Sequence, residues 1–135
     1  MTARREKQKG TEVDGSVLVT GGAGYIGSVS VERLVEEGHR VVVLDDLSVG
    51  HRSAVTRGFP LIPGDTGDRD LVARLLSEHR VQAVIHFAAM SLVAESMERP
   101  AEYYDSNVIR GCRMLSVMAE AGVDRIVFSS SAGVY

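Results

Sequence analysis

The stretch VLVTGGAGYIGS, Val17 to Ser28, decides the fold. A short run of hydrophobic and β-branched residues leads straight into glycines, and the chain beyond them turns amphipathic. Gly21, Gly24 and Gly27 fall at every third position, and Gly22 adds a fourth. A strand, a glycine-rich turn and a helix in this order make a specific physical device. The first glycine permits a tight turn, the second lets a phosphate approach the backbone, and the third lets the helix pack on the strand. The helix N-terminus then presents unbonded N–H groups and partial positive charge to a pyrophosphate. Alone, such glycines also fit an ordinary turn between a strand and a helix.

The next segment separates the two readings. RVVVLDD ends in Asp45, and 45 − 27 places that acid 18 residues beyond Gly27. A carboxylate at a spacing of about 20 meets the adenosine ribose in dinucleotide-binding folds. Such a carboxylate accepts hydrogen bonds from both ribose hydroxyls and repels a 2′-phosphate. The pair of signals therefore predicts a dinucleotide site that takes NAD rather than NADP.

Outward from this unit the pattern repeats. The strand candidates are Ser16–Thr20, Arg40–Asp45, Leu61–Pro63, Ala83–Phe87 and Arg125–Ser129. They are short, rich in Val and Ile and nearly continuous in hydrophobicity, as parallel strands covered on both faces are. Between them, Ile26, Val31, Leu34 and Val35 predict one helix face, closed by Gly38. DRDLVARLLSEH offers Asp68 as N-cap and Leu71, Val72, Leu75 and Leu76 as a stripe. Pro100 suits the first turn of a long helix with Val108, Gly111, Leu115 and Met118 inward, ended by Gly122. Strands alternating with helices predict a doubly wound α/β sheet of about five parallel strands in the order 3-2-1-4-5.

Composition sets the outer limits. A chain of 135 residues with 44% hydrophobic and 24% charged residues suits one soluble globular domain. A net charge of −3 gives no electrostatic reason to expect nucleic acid or an anionic membrane as partner. No apolar run reaches membrane-spanning length. The lone Cys112 suits a reducing compartment and, on an apolar helix, reads as a small core residue. His39, His51, His79 and His86 lack metal-ligand spacing, so no metal site is expected, and His86 beside Phe87 reads as packed core. Residues 1–15, MTARREKQKGTEVDG, carry both charges and no hydrophobic segment, which predicts a flexible leader rather than a signal peptide. The domain then occupies 16–135, and the default location is the cytoplasm.

TGGAGYIGS, LDDLSVGH, GDTGD, VIHFAAMSLVAESMERPAEYYDSNV and FSSSAGVY resemble, in order and spacing, the N-terminal half of the UDP-glucose 4-epimerases. These are extended short-chain dehydrogenases/reductases. The resemblance runs from about Val17 to Tyr135, and the last two segments are its most specific parts. It implies a Rossmann-like NAD-binding domain of a two-domain enzyme, homodimeric when full length. That enzyme interconverts UDP-glucose and UDP-galactose by transient oxidation at C4 of the sugar. Carried over residue by residue, Gly21, Gly24, Tyr25, Ile26 and Gly27 match the pyrophosphate-binding turn. Asp45, Asp46 and Leu47 match the ribose segment, and Asp65 and Thr66 the adenine end, where a carboxylate accepts the exocyclic amine. Phe87, Ala88 and Ala89 match a small-residue ledge along the cofactor, with Asn107 a polar anchor beneath it. Ser129 borders the nicotinamide, and Ser131 matches the catalytic serine.

Two departures qualify that picture. Ser91 stands where some family members carry lysine. No Tyr-x-x-x-Lys occurs in these residues, although the family's base is such a tyrosine, lowered from its ordinary pKa of about 10 by the lysine and the charged nicotinamide. The chain by itself is therefore expected not to complete the reaction, and its fifth strand to leave an open edge. Nucleotide-sugar 4,6-dehydratases and uronate epimerases share most of the motifs. Ser-Ala in SSSAGVY, where dehydratases usually carry Thr-Asp, favours an epimerase. A non-catalytic NAD-binding fragment is the remaining alternative.

Overall fold

The structure, a computed structural model, describes residues 14–55 and 58–131. Five strands form one parallel sheet: β1 Ser16–Thr20, β2 Arg40–Asp45, β3 Leu61–Pro63, β4 Val81–His86 and β5 Ile126–Phe128. Their order is β3-β2-β1-β4-β5, as the alternation of segments predicts. The chain leaves β1 toward β2 on one side and later returns to β4 on the other. The carboxyl ends of β1 and β4 thus flank a topological switch point, where ligands of open α/β sheets bind.

Successive residues of each strand serve opposite faces, because Cβ direction alternates along a strand. Leu18, Val42, Leu44 and Val84 pack on one face against Val72, Leu75, Leu76, Met114, Val117 and Met118. Val19, Val41 and Val43 pack on the other against Val31, with Leu34, Ile85 and Phe87 alongside. Helix α1, Tyr25–Glu36, covers this second face, and α2, Arg69–Glu78, covers the first. Asp68 caps α2 as its sequence position suggests, its carboxylate accepting the Leu71 amide at 3.0 Å. Gly38 and Gly122 close their helices, donating to Val35 and Ala119.

Several boundaries and faces differ from the sequence expectation. β4 begins at Val81, two residues early, and ends at His86, while β5 is confined to Ile126–Phe128. In α1, Val31 is buried but Ile26 and Val35 are exposed. The first turn of the helix lies against the backbone of Gly21 and Gly22 through Gly27, and the neighbouring Ile26 turns toward solvent. The long helix after Pro100 is not uniform. Short α3, Val93–Glu98, precedes α4, Pro100–Tyr104; a π-helical turn at Asp105–Ile109 then leads into α5, Arg110–Glu120. A π turn holds an extra residue, which rotates Val108 outward and brings Asn107 inward. The inward stripe of α5 is Gly111, Met114, Val117 and Met118, with Leu115 exposed. Cys112 lies beside that stripe and is exposed, not a core residue.

Of the expected leader, residues 1–13 lie outside the described residues, while Gly15 is already buried. A Cβ at Gly15 would stand 2.8 Å from the Arg80 carbonyl oxygen. β5 has β4 as its one neighbour among the described strands, and Ile126, Val127 and Phe128 are exposed.

Candidate cofactor-binding site

The glycine turn sits at the carboxyl end of β1. Gly21 has φ +70°, and a Cβ there would stand 2.6 Å from the Ala88 amide nitrogen, so both conformation and space exclude a side chain. A Cβ on Gly27 would collide with the Gly21 carbonyl oxygen and stand 2.8 Å from Gly22 Cα. Gly24 differs: its Cβ would meet only the Gly21 oxygen, at an ordinary 3.4 Å. Gly24 is the N-cap of α1 and supplies no side chain to cap it. The amides of Tyr25, Ile26 and Gly27 therefore lack intrahelical partners. The Tyr25 and Ile26 side chains are exposed and leave this end open.

Asp45 ends β2 beside this turn and is 7% exposed. Its Oδ2 accepts the Ala23 amide at 2.9 Å and its Oδ1 the Leu47 amide at 2.8 Å. Ala23 is buried, and its carbonyl accepts the His51 amide at 3.0 Å. Leu47 takes φ +60°, a conformation a branched side chain rarely adopts. An ionised carboxylate has about four acceptor positions, so Asp45 retains capacity for hydroxyl donors. Asp46 is exposed and serves its own turn, accepting from the Ser48 amide and hydroxyl at 2.9 and 2.6 Å. The two acids of LDD thus divide into one that ties the site together and one that shapes the following loop.

Asp65 and Thr66 follow β3. Thr66 is buried, and Asp65 is anchored at both carboxylate oxygens. Oδ1 accepts the Gly67 amide at 2.6 Å, and Oδ2 pairs with Arg110 Nη1 at 2.7 Å. Arg110 Nε also binds Asp105 Oδ2 at 2.8 Å. Nothing in the spacing of charges along the sequence singles out Arg110, because its partner Asp65 comes from a different crossover unit.

Beyond β4, Phe87 donates its amide to the Thr20 carbonyl at 2.9 Å and packs into the second core cluster. Ala88 is half-buried against Gly21, and Ala89 is exposed. Asn107 reaches this ledge from the π turn. Its Oδ1 accepts the Met90 amide and its Nδ2 donates to the Met90 carbonyl, both at 2.8 Å. The anchor therefore holds backbone, and Met90 is a partner that sequence spacing does not reveal. Farther along, Tyr103 donates its hydroxyl to Glu95 at 2.7 Å, and Arg99 pairs with Glu95 and Glu102. That hydrogen bond and the Arg99 cation hold the Glu95 carboxyl below its ordinary value.

His86 is buried, as expected for packed core. It shares a 2.6 Å hydrogen bond between Nδ1 and the Thr20 hydroxyl, and its ring lies 5.5 Å from that of Phe128. Burial pushes its pKa below the ordinary imidazole range. Ser129 continues β5 by donating its amide to the His86 carbonyl at 3.1 Å. Ser129 and Ser131 are both exposed, and residues 132–135 of SSSAGVY lie outside the described residues. No group of three or more His, Cys, Asp and Glu side chains among the described residues is placed to hold a metal ion. No helix among them is long and apolar enough to cross a membrane.

A parallel sheet of this order, with an uncapped helix following a glycine turn and an acid at the end of β2, defines a Rossmann-like dinucleotide-binding domain. The chain belongs to the NAD dependent epimerase/dehydratase family, which it matches over residues 17–135. It is 51% identical over 122 residues to a UDP-glucose 4-epimerase of Streptococcus mutans, covering 89% of this chain and 37% of that protein. To the UDP-glucose 4-epimerase of Lactobacillus helveticus it is 50% identical over 119 residues, covering 88% and 36%. A crystal structure of UDP-glucose-4-epimerase from Stenotrophomonas maltophila, with bound NAD and formylated UDP-arabinopyranose, superposes with a TM-score of 0.85 at 44% identity. That match covers 90% of this chain and 38% of the other. The chain thus spans little more than a third of the length of these relatives.

Proposed function

We propose that residues 16–135 are the NAD-binding portion of a UDP-glucose 4-epimerase, and that the leader expected over 1–15 gives way to the fold by Gly15, which is already buried. The observation that carries this reading is the junction of Asp45 with Ala23. It sets an acceptor for ribose hydroxyls against a turn whose Gly24 side is open and whose following helix presents unpartnered amides. In this reading the backbone of Gly21, Gly24, Tyr25, Ile26 and Gly27 receives the pyrophosphate. Asp45, with Asp46 and Leu47 shaping the loop, receives the ribose. Asp65 and Thr66 meet the adenine. Phe87, Ala88 and Ala89, held through Asn107, support the cofactor, and Ser129 flanks the nicotinamide.

NAD supplies the hydride acceptor and donor for transient oxidation at C4 of a UDP-hexose. Ser131 would bind the reacting hydroxyl, but the family's proton acceptor belongs to a Tyr-x-x-x-Lys motif that these 135 residues do not contain. They are therefore expected to bind NAD without turning over UDP-galactose. The mature enzyme of this reading is a cytoplasmic homodimer, with a UDP-hexose as its partner and no nucleic acid. The free Cys112 supports a reducing compartment, and the net charge of −3 gives nucleic acid no electrostatic hold.

Calorimetric titration with NAD tests the reading. One-to-one binding is expected, together with its loss in Gly24→Val, whose side chain would stand in the pyrophosphate path. A heat trace at background up to millimolar NAD would overturn it.

A further inference from the structure

We infer that Arg110 is a positioning residue that sets the Asp65 carboxylate toward the adenine end of the dinucleotide, an inference that rests on the NAD reading above. Arg110 opens α5 directly after the π turn, three residues beyond Asn107. Its stem crosses Gly67, where an added Cβ would lie 2.9 Å from Arg110 Cγ and 3.3 Å from its Cβ. The absence of a side chain at Gly67 is thus what admits the arginine. Its head divides between two carboxylates, Nη1 on Asp65 at 2.7 Å and Nε on Asp105 at 2.8 Å. Gly67 meanwhile donates its amide to the other oxygen of Asp65.

Asp65 is consequently fixed at both oxygens and cannot swing about its terminal torsion. Each oxygen keeps an acceptor direction, and both are now aimed by the protein rather than by solvent. An exocyclic amine approaching Asp65 meets a preset acceptor, so less ordering remains at binding. Removing Arg110 would leave the carboxylate held at Oδ1 alone, by the Gly67 amide, and would take away the cation that Asp65 shares with Asp105. The planar fork matters as well, because a lysine ammonium presents no such rigid pair of directions. Ion pairs this exposed contribute little to folding stability. The signature of the arginine therefore lies in adenine recognition more than in the melt.

The π turn gives this placement a wider sense. Asn107 clamps Met90 on the ledge beyond β4, and Arg110 clamps Asp65 beyond β3. One short segment holds the two flanks of the site in fixed relation.

The test compares NAD with nicotinamide hypoxanthine dinucleotide, in which an oxo group replaces the adenine amine. Binding of each is measured on the unsubstituted chain, on Arg110→Met, which keeps the stem over Gly67, and on Asp65→Asn. The unsubstituted chain is expected to favour NAD by about ten-fold. Arg110→Met should reduce that ratio to within about two-fold, and should add nothing further in the Asp65→Asn background. Arg110→Lys should fall between. A ratio unchanged in Arg110→Met, with NAD still bound, overturns the role of Arg110 and leaves the NAD reading standing. Absence of any preference in the unsubstituted chain also overturns it. Failure to bind either dinucleotide overturns both. Should Arg110→Met not fold, Asp105→Asn decides by the same ratio: a fall supports the inference, and no change overturns it.

Discussion

The carboxylate of Asp45 accepts the backbone amide of Ala23, 22 residues earlier, and so joins the end of β2 to the middle of the glycine turn. One acid therefore completes the buried turn and stands ready for the ribose. Substitution should reveal both roles. The unsubstituted chain is expected to bind NAD more tightly than NADP, because a 2′-phosphate would be brought against this buried charge. Asp45→Asn should weaken NAD by about 1–3 kcal/mol and narrow that preference. It should also lower the unliganded melting temperature, since asparagine must turn its NH2 group toward one of two donor amides. Titration of both cofactors at fixed ionic strength, with a melt of each protein, checks the pair of effects. Equal or tighter binding of NADP by the unsubstituted chain would remove Asp45 from the ribose.

Gly27 lies in the first turn of α1 and Gly38 just beyond its last, and the two should respond differently to alanine. A Cβ at Gly27 would collide with backbone atoms of Gly21 and Gly22, which cannot move without distorting the turn. Gly27→Ala is expected to cost about 1–3 kcal/mol by overpacking and to abolish NAD binding as the helix shifts from β1. Gly38 has φ +88° and nothing within 4 Å of its Cβ position. Gly38→Ala meets only backbone strain, about 1–2 kcal/mol, and should leave NAD affinity unchanged. Melts and titrations of the two variants separate crowding from conformation. Equal affinity losses would contradict the assignment of Gly27 to helix–strand packing.

The strand order, the glycine turn and the Asp68 cap are legible in the sequence because each depends on local periodicity or on a spacing along one crossover unit. The inward face of the long helix is legible only in part: Gly111 and Met118 are buried as read, but the π turn, which leaves no mark in a pattern counted at 3.6 residues per turn, puts Val108 out of line with them. Within α5 the buried face leans toward Met114 and Val117, which leaves Leu115 and Cys112 exposed, and both sides of that stripe carry apolar residues in the sequence. Asp45 stands out as an acid at a spacing, but its bond to Ala23 does not. That bond depends on the parallel pairing of β1 with β2, which sets the end of β2 beside the turn that follows β1. Arg110 and Met90 are hidden for the same reason: each meets a partner brought by topology and not by sequence neighbourhood.

The buried pair of Thr20 and His86 makes a prediction about pH. Burial holds His86 below the ordinary imidazole value of about 6.5. Below pH 6.5 the unfolded chain takes up a proton that the folded chain resists. Stability from this group is therefore full above about pH 6.5 and is lost as pH falls from there through the lowered folded value. The slope can reach about 1.4 kcal/mol per pH unit, one proton's worth. Melts from pH 7.5 to 5 should show a decline that is flattened in His86→Asn, whatever that variant's absolute stability. An equal decline in both proteins would assign the pH dependence to other groups.

Asn107 offers the sharpest contrast between near-isosteres. Its Oδ1 accepts the Met90 amide and its Nδ2 donates to the Met90 carbonyl, closing a ring across the gap between the π turn and the ledge. Asn107→Asp preserves the size and one acceptor, but sets a carboxylate oxygen against the Met90 carbonyl where a donor stood. About 1–3 kcal/mol should be lost locally, because an acceptor now faces an acceptor in a half-buried place. The damage should concentrate at residues 87–90, since the strand pairing of β4 ends at His86. Hydrogen exchange is thus expected to quicken at the Met90 amide while the amides of β1 and β2 keep their protection. NAD affinity should fall as the ledge loosens. Protonating the new acid below its pKa restores a donor, so exchange at Met90 should slow again near pH 4, relative to the unsubstituted chain at that pH. Exchange at Met90 that is indifferent to the substitution would show that the ledge is held by its packing on Gly21 and the core instead.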